Sequence, residues 1–256
     1  MKNRSLQVEF ADEFGPLHAS WSFPDGHSES PVPVVVLATG DSPSGSHGQT
    51  WQNLVPMLNS RGVGTFLFDF AGLGDSPGVY EDLTLSVGCR NFRAVMRYLK
   101  EDPRHDTTRV GVIGASYGGN VVLLEAAKYP EIKAIGLKSP SSFLPEGYEL
   151  QYGPDLMKAW GETGFSETVG LKYTAVIDSL FHNTFAKAAK IEAPVRIVHG
   201  TADTAVPIRH SRDLARIMPD VSLHEVEGAD HWYAVGNEWQ IMADDLVDFV
   251  ATHLRR

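Results

Sequence analysis

Apolar runs of strand length recur at Val34 to Ala38, Thr65 to Phe70, Val110 to Ile113, Ile132 to Leu137, Val195 to Val198 and Ser222 to Val226, each closed by a glycine or a turn cluster. Segments of helical spacing lie between them. Strands that alternate with helices pair in parallel through right-handed crossovers, and strands so uniformly apolar belong where helices cover both faces of a sheet. The pattern predicts an α/β fold on a doubly wound, mostly parallel sheet. Upstream, LQVEF and LHASWSF flank the ADEFGP turn and read as an antiparallel hairpin on the edge of that sheet. The last helix is expected to start near Asn237 and to run past Val250.

One stretch breaks the alternation. Ser141 to Lys190, about 50 residues, separates two strands where a crossover ordinarily needs far fewer. The excess predicts a cap or lid (141–190) inserted after the sixth strand of a single domain that takes in residues 1–256. It is rich in aromatic residues, and Phe143, Trp160 and Phe181 are the candidates for contact with a substrate. The alternative is that such rings form the insertion's own small core. No internal repeat, low-complexity tract or linker interrupts the chain.

At 256 residues with 43% hydrophobic content, the chain can bury a sizeable core. The formal charge of −10 leaves no basic face for phosphates, so nucleic acid and anionic membrane surfaces are poor partners. Cys89 is the only cysteine, which excludes an intramolecular disulfide and fits a reducing compartment. The opening MKNRSLQVEF has no apolar signal region, and no stretch approaches the roughly 18 apolar residues of a membrane span. A cytoplasmic location is the expectation.

The pattern G-x-S-x-G occurs twice, as Gly74-Asp75-Ser76-Pro77-Gly78 and as Gly114-Ala115-Ser116-Tyr117-Gly118. A nucleophile elbow needs a strand entering directly, a strained turn between small neighbours and a helix leaving at once. Only the second copy offers this: the strand ending at Ile113 enters, and NVVLLEAAKYP leaves with helical periodicity. The helix start also aims free N–H groups and a positive dipole end at a developing oxyanion. Ser116 is therefore the candidate nucleophile, and Ser76 reads as a loop residue.

A serine hydroxyl needs an imidazole to accept its proton, and the imidazole needs a carboxylate to fix its tautomer. In an α/β sheet these groups are expected on loops beyond the carboxyl ends of strands, in the order Ser, acid, His. Asp203, in HGTADTAVP after VRIV, and His231, in GADH after SLHEV, meet that demand. Asp230 is a rival acid, poorly placed to reach the far nitrogen of its immediate neighbour's ring. His199 and His224 read as hydrogen-bonded framework residues. No metal site is expected, because HEVEGADH lacks the H-E-x-x-H spacing and one cysteine cannot build a thiolate zinc site.

With FDFAGLGDSPG, GASYGG, HGTADTAVP and GADHW in this order, the chain resembles the α/β-hydrolase superfamily over nearly its whole length. Within it, the likeness is to serine esterases, including feruloyl and cinnamoyl esterases, monoacylglycerol lipases and S33-type peptidases. The resemblance implies an eight-stranded sheet and acyl transfer without a cofactor. It also implies an oxyanion hole formed by the backbone N–H groups of Tyr117 and Asp41. Where relatives carry His-Gly, this chain reads Ala38-Thr39-Gly40-Asp41, and a carboxylate there is unfavourable unless it points away. A serine nucleophile argues against the dehalogenase and epoxide-hydrolase branches.

The expected function is hydrolysis of a carboxylic ester with a small aromatic or medium apolar acyl group. Thioesterase and acyltransferase are the alternatives, with a non-catalytic small-ligand receptor as one of another class. The expected partner is a small acyl substrate, with homodimerisation left open.

Overall fold

In the computed structural model, which describes residues 6–13, 15–24 and 31–255, the sheet begins with β1 (Leu6–Asp12) and β2 (Gly15–Ser22). They pair antiparallel from Leu6 opposite Trp21 to Asp12 opposite Gly15, so the turn is tighter than the ADEFGP stretch suggests. Part of that turn, Phe14, and the first five residues of MKNRSLQVEF lie outside the described residues. The ladder continues through β3 (Val32–Ala38), β4 (Gly64–Phe68), β5 (His105–Ala115) and β6 (Ile132–Lys138). After an insertion holding the short strands β7 (Phe165–Ser166) and β8 (Leu171–Lys172), β9 (Val195–Gly200) and β10 (Val221–Val226) complete an eight-stranded sheet. Its order is β1, β2, β4, β3, β5, β6, β9, β10, antiparallel at the hairpin and at β2 against β4, and parallel elsewhere.

The period of two in a strand divides the apolar residues of β3 between the two faces. Val34, Val36 and Ala38 enter one core cluster, and Val35 and Leu37 enter the other. α1 (Gln49–Ser60) and the last helix, Glu238–Leu254, cover the second face with Leu54, Leu58, Leu246 and Val250. α2 (Leu85–Glu101) and α3 (Ser116–Glu125) cover the first with Phe92, Val95, Val121 and Val122. α2 starts where it does because Thr84 caps it, its side chain accepting the Val87 N–H at 3.2 Å. Double coverage explains why the central strands read as unbroken apolar runs.

Between β6 and β9 the chain forms α4 (Leu144–Tyr152), α5 (Pro154–Thr163), the β7–β8 ribbon, α6 (Thr174–Ser179) and α7 (Thr184–Ala188). Its apolar residues do not form a separate core. Leu144, Tyr148, Trp160, Leu171 and Val176 belong to the same cluster as α2 and α3. α8 (Arg209–Ile217) and α9 (Glu238–Leu254) follow β9 and β10, and Asn237 stands at the N-cap of α9. Among the described residues no helix is long and apolar enough to cross a membrane.

Candidate active site

β5 runs without a break into α3, and the junction is Ser116, held at φ 49°. A non-glycine residue in the left-handed region costs on the order of 1–3 kcal/mol and persists only where its surroundings fix it. Those surroundings are the carbonyl ends of β3. A Cβ on Gly118 would lie 2.1 Å from the Thr39 oxygen and 2.4 Å from that of Ala38, so only glycine lets the elbow sit against the loop after β3. On the other side the Ser141 N–H donates to the Ser116 carbonyl at 3.1 Å. The buried Tyr117 hydroxyl donates to Thr84 O at 2.7 Å, tying α3 to the start of α2. Ser76, in the other G-x-S-x-G, is itself buried. Its hydroxyl donates to Asp69 O at 2.7 Å and accepts the His18 N–H at 2.9 Å, so it braces a loop.

Asp203 sits in the turn after β9 with its side chain fully buried. One carboxylate oxygen accepts the N–H groups of Ala205 and Val206, at 2.9 and 2.7 Å. The other meets His231 Nδ1 at 2.7 Å and His199 Nε2 at 3.2 Å. Burial alone would raise this carboxyl. The hydrogen bonds from His199 and His231 outweigh it and hold Asp203 well below the usual carboxylate range. An ionised Asp203 accepts a hydrogen bond from His231 Nδ1–H, which keeps the proton on Nδ1 and leaves Nε2 as the free basic nitrogen. Asp230 is turned elsewhere, accepting the N–H groups of Trp232 and Ala234.

His199 is buried and reaches two acceptors through Nε2, Asp203 and the Val206 carbonyl at 3.1 Å. Its Nε2, facing two acceptors, therefore carries a proton, and Nδ1 meets the Ser211 hydroxyl at 2.7 Å. It thus supports the acid directly. His224 pairs with Asp245 of α9.

Ser116 and His231 line one cavity of about 360 Å³ at the carboxyl ends of the strands. Ser116 Oγ has no hydrogen-bond partner among the described residues. Such contacts often tighten only when substrate arrives. Asp41 lines the same cavity, on a loop close enough that a Cβ on Gly40 would be 3.7 Å from Ser116 Cβ. Burial raises the Asp41 carboxyl, while its own N–H and His231 pull the other way.

Lys138, at the end of β6, also lines the cavity and was not singled out from the sequence. Its ammonium donates to the His231 carbonyl at 2.7 Å and stands 5.1 Å from the Tyr233 ring centre. Burial pushes it down to about 8, against the attraction of Asp203 and Asp230. The available signal was a lysine closing an apolar parallel strand, where α/β sheets collect functional groups. His231 in turn is lowered by burial and then by Lys138, with Asp203 opposing.

The three aromatic candidates are not among the cavity's lining residues. Trp160 is buried between Tyr148 and Tyr173, and its indole N–H donates to Leu171 O at 2.8 Å. Phe181 is 83% exposed and Phe143 42%. The lining rings are Trp51, Tyr80, Tyr148 and Trp232, and the insertion adds Leu144 and Val169. Short helices carry too few turns for periodicity to show which side faces a ligand. Among the described residues no three His, Cys, Asp or Glu side chains gather as a metal site.

Comparison with known proteins places the fold. The chain is similar to the mitochondrial palmitoyl-protein thioesterase ABHD10 of Homo sapiens, 24% identical over 208 residues. That match covers 75% of this chain and 66% of the relative, so the chain spans just under two thirds of its length. It is similar to the monoacylglycerol lipase of Mycolicibacterium smegmatis, 25% identical over 256 residues, with 88% and 90% covered. Among solved structures, ferulic acid-bound Est1E from Butyrivibrio proteoclasticus superposes with a TM-score of 0.85 at 25% identity, covering 97% of this chain and 100% of that one. The prolyl oligopeptidase family model matches residues 53–256, a stretch that contains Ser116, Asp203 and His231 and leaves Asp41 outside. With the eight-stranded sheet and these relatives, the chain has the α/β-hydrolase fold and belongs to the prolyl oligopeptidase family.

Proposed function

We propose that this hydrolase cleaves carboxylic esters through an acyl-enzyme on Ser116. The observation that carries the reading is the Asp203–His231 hydrogen bond opening onto the cavity that holds the strained Ser116. His231 Nε2 takes the Ser116 proton as Oγ bonds to the acyl carbon. The oxyanion rests on the N–H groups of Tyr117 and Asp41. The carbon–oxygen bond to the alcohol then breaks, the alcohol leaving with the proton from His231. Water repeats both steps, giving its proton to His231 and its oxygen to the acyl carbon, and frees the acid. Every step uses side chains and backbone of this chain, with no metal or cofactor. Segment 141–190 acts as a cap whose Leu144, Tyr148 and Val169 shape the acyl site, and residues 1–256 act as one domain.

A thioester is the second reading, favoured by the likeness to a palmitoyl-protein thioesterase. A fluorophosphonate probe with peptide mapping is expected to label Ser116, with p-nitrophenyl and thioester substrates run in parallel. Ser116→Ala should lose the label and about 10⁴- to 10⁶-fold in kcat, while Ser76→Ala keeps the label on Ser116. Label on another residue, or normal turnover by Ser116→Ala, would overturn the reading.

A further inference from the structure

Asp41 is the only acidic residue among the described residues that line the Ser116 cavity. No ion pair and no side-chain hydrogen bond engages its carboxylate among the described residues. The cavity's lysine does not serve it: Lys138 is committed to the His231 carbonyl and stands with Asp203 and Asp230. Trp51, Tyr80 and Tyr148 line the same space. Burial, and after it repulsion from Asp41, raises the phenols of Tyr80 and Tyr148 above the ordinary tyrosine value.

A carboxylate and several aromatic rings lining one cavity are the combination that recognises organic cations. It also answers a difficulty of the reaction. A lone negative charge by the oxyanion opposes its formation. A cation carried in by the substrate would neutralise that charge while the oxyanion develops, and would offset the cost of burying Asp41.

We propose that Asp41, with Trp51, Tyr80 and Tyr148 around it in the Ser116 cavity, binds an amine or quaternary ammonium group of the substrate and makes the enzyme selective for esters that carry one. The inference rests on the acyl-enzyme reading and names its substrate class.

The test compares isosteres. Butyrylcholine is set against the ester in which a tert-butyl group replaces its trimethylammonium. A p-nitrophenyl ester whose acyl chain ends in trimethylammonium is set against its tert-butyl counterpart. In at least one pair, kcat/KM for the cation is expected to exceed that for the neutral isostere by roughly 10- to 100-fold, and Asp41→Asn should bring the ratio close to one. Because each ratio is taken within one protein, a general loss of activity in Asp41→Asn cancels. Ratios at or below one in both pairs, or a ratio that survives Asp41→Asn, would overturn the proposal.

Failure of the esterase reading shows separately, as no turnover of any of the four esters. Calorimetry on the Ser116→Ala protein then decides. Tighter binding of a cationic ester than of its isostere, lost in the Asp41→Asn double variant, upholds the proposal, and equal affinity refutes it.

Discussion

His231 is surrounded by charges of both signs, and their balance sets the pH at which it can act. Asp203 and Asp41 favour its protonated form; burial and the Lys138 ammonium disfavour it more, so its pKa falls below the ordinary 6.5. Only the neutral imidazole accepts the serine proton, so the acid limb of kcat/KM is expected below that ordinary value. Lys138→Met keeps the aliphatic stem and removes the positive charge. Repulsion then no longer opposes imidazolium, the pKa of His231 rises, and the acid limb moves toward higher pH. The measurement is the pH profile of kcat/KM for a neutral ester. A limb that stays in place or moves to lower pH would remove Lys138 from control of the histidine. At this scale the motifs around Ser116, Asp203 and His231 were readable because each residue lies in a short, locally recognisable turn. Lys138 was not, because it acquires its place by meeting the His231 loop, far away in the sequence.

At the level of elements, the site depends on two strand ends held edge to edge. β5 delivers the elbow, β3 delivers the loop at Asp41, and the two touch at Gly118, where backbone oxygens leave no room for a methyl group. Gly118→Ala would push α3 away from β3 or force the β3 loop outward. Overpacking of this kind costs roughly 1–3 kcal/mol, and the rigid backbone neighbours here place the change at or above the upper end. A fall in the urea midpoint equivalent to about 3 kcal/mol is expected, with loss of fluorophosphonate labelling in whatever protein folds. An unchanged midpoint would show that elbow and loop can separate freely. The glycines of GASYGG were visible as a motif, and the structure adds which atoms demand them.

For the whole molecule, the insertion and the main layers share one apolar cluster, so no boundary in the core marks where segment 141–190 begins. Cys89 reports on the integrity of that cluster. It lies 3% exposed on α2, and burial, helped by Glu125, pushes its thiol up to about 12. A thiol in this state is unreactive until the structure opens. Labelling by a disulfide reagent should be negligible in the native protein and should rise with urea along the global unfolding curve. Rapid labelling in the absence of urea would show that α2 opens locally, apart from the rest of the fold.

The alternation of apolar runs with helical segments determined the fold class by itself, since doubly covered strands must be apolar along their length. The order of the motifs likewise determined which loops could meet, because parallel strands bring their carboxyl ends to one edge. Tertiary structure alone decided the rest. It buried Trp160 while leaving Phe181 in solvent. It also brought Lys138 to the His231 carbonyl and left Asp41 without an ion pair among the described residues, in a cavity that aromatic rings line. Periodicity reports how a residue relates to its neighbours along the chain. Burial, charge balance and the lining of a cavity depend on atoms that the fold brings together from far apart in sequence.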